Sequence, residues 1–185
     1  MRDRAKLSIS LTFSAFTLCL SGTVHAAPQQ LYGKSVIITW TEERQQKPLG
    51  ESEIRAVGAA GELDLYVSEQ GRNFSRMRFT VPNARGRLKS GSRDQVSGEN
   101  KARHFNFSGT TLNVGMPRGQ GGATQVVVNF DSGFQSCTAR VIVGKTPGAD
   151  RMVARSLITR MPVEIYSAKA GGENCRVQSG NVFGN

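Results

Sequence analysis

The sequence predicts an all-β protein, an antiparallel sandwich or small barrel of about eight to ten short strands. Three observations lead there. Thr124–Lys145 has the composition of a hairpin, several further stretches alternate apolar and polar residues with a period of two, and Gly, Pro and Asn break the chain at short intervals. The hairpin is the clearest element. Gln125-Val126-Val127-Val128-Asn129-Phe130 and Ser136–Val143 are rich in β-branched residues, and Asp131-Ser132-Gly133-Phe134-Gln135 between them supplies an Asp that bonds its own backbone and a Gly that tolerates positive φ. A lone hairpin is only marginally stable in water, so other strands must cover it.

Before these strands comes a leader. Arg2, Arg4 and Lys6 precede a mainly apolar run, Leu7–Leu20, and Val24 and Ala26 fit the small positions before a cut. The expected organisation is a cleaved signal peptide, 1–26, and one all-β domain, 27–185, exported to a periplasmic or extracellular location. The run is shorter than the roughly 20 residues of a spanning helix and is interrupted by Ser and Thr, so no transmembrane anchor is expected after cleavage. Removing 26 of 185 residues leaves 159, enough for one core.

The mature chain then reads in order. Lys34–Thr41 is strongly β-prone and holds the only tryptophan, Trp40, expected in the core; Glu42–Gln46 is polar, and Lys47-Pro48-Leu49-Gly50 is turn material. Ile54 and Val57 fit a helix or an irregular strand. Leu63, Leu65 and Val67 alternate with Asp64, Tyr66 and Ser68; Glu69–Arg72 forms a turn, and Asn73–Val81 is the return arm of a second hairpin. Pro82 ends it, and Asn83–Lys101, without apolar periodicity, is expected as a surface loop longer than the about 12 to 15 residues usual without function or disorder. Phe105/Phe107 and Leu112/Val114/Met116 give two short strands, and Pro117–Gly122 a flexible connection. Beyond the central hairpin, Met152, Val153, Leu157 and Ile158 fit a short helix near 150–160 as well as an irregular strand. Val163–Tyr166, a Gly171-Gly172 turn and Cys175–Val177 complete the chain.

Of three cysteines, Cys19 leaves with the leader. Cys137 and Cys175 remain and are expected to pair, closing a 39-residue loop counted with both ends, worth on the order of 4 kcal/mol in the chain-entropy model. Two Cys without a Cys-x-x-Cys spacing or clustered His make a poor metal site, and no cofactor is expected.

Charge supplies the remaining signal. The chain has 24 basic and 14 acidic residues; the leader takes three and one, leaving 21 and 13, a net of +8. Within 72–103, nine cations, Arg72, Arg76, Arg78, Arg85, Arg87, Lys89, Arg93, Lys101 and Arg103, face only Asp94 and Glu99, so this segment carries +7. An anionic polymer or membrane surface is the expected partner class, with no specific nucleic acid implied. Catalysis finds little support. After the leader the one histidine is His104, no Gly-x-Ser-x-Gly elbow occurs, and Glu62 and Asp64 share a strand face that patterning marks as wet. The expectation is therefore an exported, non-enzymatic binding or structural module. Its rivals are a small-molecule carrier with a barrel cavity and a hydrolase using acidic residues.

Overall fold

The computed structural model describes residues 26–83, 85–96 and 105–184, the backbone alone for 92–96. The leader 1–25 and Lys101, Arg103 and His104 lie outside the described residues, so the structure does not place them. After a 3-10 turn at Gln29–Leu31, ten strands follow: β1 (Lys34–Pro48), β2 (Arg55–Val67), β3 (Asn73–Pro82), β4 (Leu88–Val96), β5 (Phe105–Ser108), β6 (Thr111–Arg118), β7 (Gly122–Phe130), β8 (Cys137–Lys145), β9 (Met152–Arg155) and β10 (Pro162–Ser179). They form an antiparallel six-stranded sheet in the order β4-β3-β2-β1-β10-β9 and a four-stranded sheet β5-β6-β7-β8. All-β architecture is thus observed.

The two sheets bury their inner faces against each other. Alternation puts Val36, Ile38 and Trp40 of β1 and Leu63 and Leu65 of β2 in one cluster with Leu112, Val114 and Met116 of β6 and Val126 and Val128 of β7. Trp40 is 2% exposed, as its β-prone setting predicts. Its ring covers Gly61, where a β-carbon would stand 2.1 Å from the indole, and meets Phe79 edge to face with centroids 5.9 Å apart. Along one side the sheets are joined through β8 and β10: Cys137 and Cys175 are bonded with Cα atoms 5.5 Å apart, and the Val141 N–H donates to Glu173 Oε1 at 3.2 Å. On the same flank, Gln120 and Val153 exchange backbone hydrogen bonds of 2.7 and 2.9 Å, tying the β6–β7 turn to the edge strand β9.

One open alternative is decided and four sequence expectations are corrected. Of the helix and the irregular strand that fit 150–160, the strand is observed: Met152–Arg155 pairs with Pro162–Ile165, and a tight turn lies between them. Leu88–Val96, expected within a loop, pairs with β3 from Phe74 to Pro82, the ladder supplying backbone bonds where apolar pattern is weak. β1 continues through the polar Glu42–Gln46 to Pro48, paired on both sides. Gly171-Gly172 is not a turn between strands; it lies inside β10 at a register shift opposite Thr39/Thr41, with Gly172 at φ 65°. The connection at Pro117–Gly122 is a tight hairpin: Arg118 ends β6 with its side chain buried, and Gly122 opens β7.

Candidate functional site

The order of the six-stranded sheet decides which loops meet. Its strands are antiparallel throughout, so the β1–β2, β3–β4 and β9–β10 connections all leave from the same end. Two contacts tie them together. The Leu49 N–H donates to the Pro162 carbonyl at 3.1 Å, and a β-carbon at Gly91 would stand 2.6 Å from Leu157 Cδ2, because the β9–β10 turn reaches across to β4 and curls the sheet.

Each tip has its own local logic. In the β3–β4 turn, Asn83 Oδ1 accepts from the Arg85 and Arg87 N–H groups, both at 2.9 Å, while Gly86 takes φ 71°. Arg85, Arg87 and Lys89 are exposed there, and none has an ion pair among the described residues. In the β9–β10 turn, Ser156 Oγ accepts from the Ile158 and Thr159 N–H groups, both at 3.2 Å. The turn closes with Arg160 at φ 63°, a conformation that favours glycine. Arg155 and Arg160 are exposed and likewise without an ion pair among the described residues. At the β1–β2 tip, Arg55 bonds Glu53 at 2.9 Å and approaches Glu51 at 3.5 Å. Two acids and one arginine there, three cations at β3–β4 and two at β9–β10 give this end a net of +4.

The nine cations expected as one segment are divided by this geometry. Arg85, Arg87 and Lys89 share the β3–β4 tip, whereas Arg72 sits at the opposite end of the sheet in the β2–β3 turn. Arg76 and Arg78 lie mid-strand on the outer face of β3. Arg78 donates to Glu62 at 2.6 Å with its second nitrogen 3.8 Å from Asp64, and Arg76 stacks over Phe183, 5.1 Å from the ring centroid. Arg93 lies in β4 opposite Met77, and only its backbone is described. Arg155 and Arg160, outside the segment in sequence, join the tip in space.

Asp64 departs from its expected wet position. The C-terminal stretch crosses this face, with Ser35 Oγ donating to the Gly180 carbonyl at 2.6 Å and accepting from the Val182 N–H at 3.0 Å, and Asp64 is buried. Burial, then repulsion from Glu62, pushes its carboxyl above the ordinary range against the pull of Arg78 and Arg76. A single guanidinium spans both carboxylates, so they are not set on opposite sides of a substrate-sized gap such as glycoside hydrolysis requires.

Sequence reading also missed a charged cluster inside the fold. Glu42 and Arg44 continue the inward series of Val36, Ile38 and Trp40, and period-two counting was the available signal. Glu42 accepts from Arg118 Nη1 at 2.9 Å, Nη2 at 2.8 Å and Arg44 Nε at 2.5 Å, and its side chain has no exposed surface. Both guanidiniums stack on Phe79, at 5.3 and 4.8 Å from the ring centroid. Burial alone would raise the Glu42 carboxyl; Arg118 and Arg44 outweigh it and hold the carboxyl below the ordinary carboxylate range. For Arg118, burial and then Arg44 lower the guanidinium's affinity for its proton, and Glu42 opposes them. The cluster holds one carboxylate between two guanidiniums, a net charge of +1, and none of the three side chains exposes more than 10% of its surface.

Among the described residues, no group of three or more His, Cys, Asp or Glu is placed to hold a metal ion, and no helix is long and apolar enough to cross a membrane. The apolar space enclosed beneath Leu31, Val36, Leu65 and Phe107 amounts to about 10 Å³, room for about one water. Compared with known proteins, the chain matches no family model, and no similar characterised protein or solved structure is found.

Proposed function

We propose that this protein is an exported, non-enzymatic binding module that docks on an anionic polymer or envelope surface through the end of the six-stranded sheet where three hairpin tips converge. The observation that carries the reading is the gathering there of Arg85, Arg87, Lys89, Arg155 and Arg160, exposed and without ion pairs among the described residues. Cations left unpaired on tips tied to one sheet keep their charge for a ligand, and each anionic group they neutralise releases counterions. Arg76 and Arg78 are occupied by aromatic and acidic neighbours and contribute less.

Export is supported by the three-zone leader and by the Cys137–Cys175 bond, a linkage suited to an oxidising compartment. The space beneath Leu31, Val36, Leu65 and Phe107, about 10 Å³, is too small for an organic ligand, which supports a surface binder over a carrier at that position. Retention on immobilised heparin tests the reading. The wild type should elute above about 150 mM salt, and R85S/R87S/K89S well below the wild type. Elution of the wild type below that salt would end the proposal.

A further inference from the structure

The same tips carry an apolar signal that charge alone does not use. Among the described residues, seven large hydrophobic side chains are exposed, and five of them, Leu49, Ile54, Leu88, Ile158 and Met161, lie on these three connections. Leu88 is 68% and Met161 60% exposed, the two highest values of the seven. Scattered single hydrophobics are ordinary on a surface, but five at one end of one sheet mark a place of contact. Each lies close in sequence to a cation: Leu88 between Arg87 and Lys89, Met161 beside Arg160, Ile54 beside Arg55.

We infer that this end seats on a lipid bilayer containing anionic phospholipid, with Leu88, Ile158 and Met161 entering the headgroup region and Arg85, Arg87, Lys89, Arg155 and Arg160 meeting lipid phosphates. The inference rests on the proposed anionic-surface function and names its partner. A soluble polyanion would satisfy the cations and leave the apolar side chains in water. A membrane interface accepts both, because apolar side chains bury about 5–10 Å into the headgroup and acyl boundary while basic residues stay at the charged surface. The tips are also ordered for the task. The Asn83 bonds fix the β3–β4 turn, and the Ser156 bonds with Arg160 at positive φ set the turn that presents Ile158 and Met161, so little backbone ordering is left to pay on contact.

The experiment compares vesicles of phosphatidylcholine, with and without phosphatidylglycerol, against heparin, using the wild type, L88S/I158S/M161S and L88W. The wild type should sediment with phosphatidylglycerol vesicles and bind phosphatidylcholine alone at least about tenfold more weakly. L88S/I158S/M161S should lose about tenfold or more on vesicles while its heparin retention is unchanged. The tryptophan of Leu88→Trp should be quenched by brominated lipid, with the buried Trp40 as the unquenched reference. Heparin retention by the wild type without vesicle binding, vesicle binding by L88S/I158S/M161S equal to the wild type, or an unquenched tryptophan in L88W would each overturn the lipid inference and leave the polyanion reading standing. Binding to neither would overturn both.

Discussion

Replacing Glu42 by Gln isolates the buried charge cluster, since it keeps the volume and removes only the anion between Arg44 and Arg118. The three side chains expose 0%, 10% and 8% of their surface, so the two guanidiniums lose the one ion-pair partner they have among the described residues, where water cannot replace it. Breaking a buried ion pair from one side costs about 3–5 kcal/mol, chiefly because the surviving charge stays desolvated. For a domain of this size each kcal/mol moves the melting temperature by roughly 2–4 °C, so Glu42→Gln should melt about 6–20 °C lower than the wild type. Urea unfolding should give the same loss with an unchanged slope. Acidification supplies an independent check. The folded carboxyl is held below its ordinary 4.5, so its contribution is fully present above that pH and is lost as pH falls through the depressed folded value. The gap between the wild type and Glu42→Gln should therefore close on acidification below about pH 4.5. E42Q/R44M/R118M should recover most of the loss, because a cluster converted wholly to apolar groups leaves no orphaned charge. A loss under about 1 kcal/mol for Glu42→Gln, or no recovery in the triple variant, would refute the reasoning.

Thiol titration of the unfolded, unreduced protein should find no free cysteine among those of the mature chain, and reduction should cost about 4 kcal/mol for a bridge between residues 38 apart. Two titratable thiols would contradict the bond. Gly61→Ala should destabilise by about 1–3 kcal/mol, because the new methyl would stand 2.1 Å from the Trp40 ring, and Trp40 emission should be blue-shifted in the wild type and red-shifted in the variant. A neutral Gly61→Ala would show that Trp40 is free to move aside. At Arg160 the usual order of helpful residues should invert: Arg160→Gly should be more stable than Arg160→Ala by about 1 kcal/mol, since glycine alone takes φ 63° without strain. Urea midpoints with alanine ahead of glycine would refute the left-handed assignment.

How much of this was legible in the sequence depends on whether local chemistry or distant partners decided each element. The β7–β8 hairpin was readable because Asp131 writes its own turn: Oδ1 accepts from the Gln135 N–H at 2.8 Å and Oδ2 from Ser136 Oγ at 3.1 Å. The cysteine pair and the burial of Trp40 followed from elimination and β-propensity. β4 was hidden because Lys89-Ser90-Gly91-Ser92-Arg93 has no apolar face, and an edge strand needs only one paired neighbour to exist. Near 150–160 helix and irregular strand fitted the sequence equally, and the local ladder between Met152–Arg155 and Pro162–Ile165 decided for the strand.

The candidate site was half visible for the same reason. Charge counting found Arg85, Arg87 and Lys89, which lie together in sequence. It could not find Arg155 and Arg160, which join them only through the order of the six-stranded sheet and the Leu157–Gly91 contact. Counting also overvalued Arg78, whose charge is taken up by Glu62 across the strand pair. The inward Glu42 and Arg44 were read only as part of a polar stretch, because polarity outweighed their period-two continuity with Trp40.

The central claim, that anionic surfaces bind at the converging tips, is tested most directly by the salt dependence of binding to one polyanion. The logarithm of the affinity for heparin should fall linearly with the logarithm of salt concentration for the wild type. In R85S/R87S/K89S and in R155S/R160S, both the affinity and the steepness of that line should decrease, while R72S, at the far end of the sheet, should keep both. Equal slopes for the wild type and the two tip variants, or a loss in R72S as large as in R155S/R160S, would contradict the account.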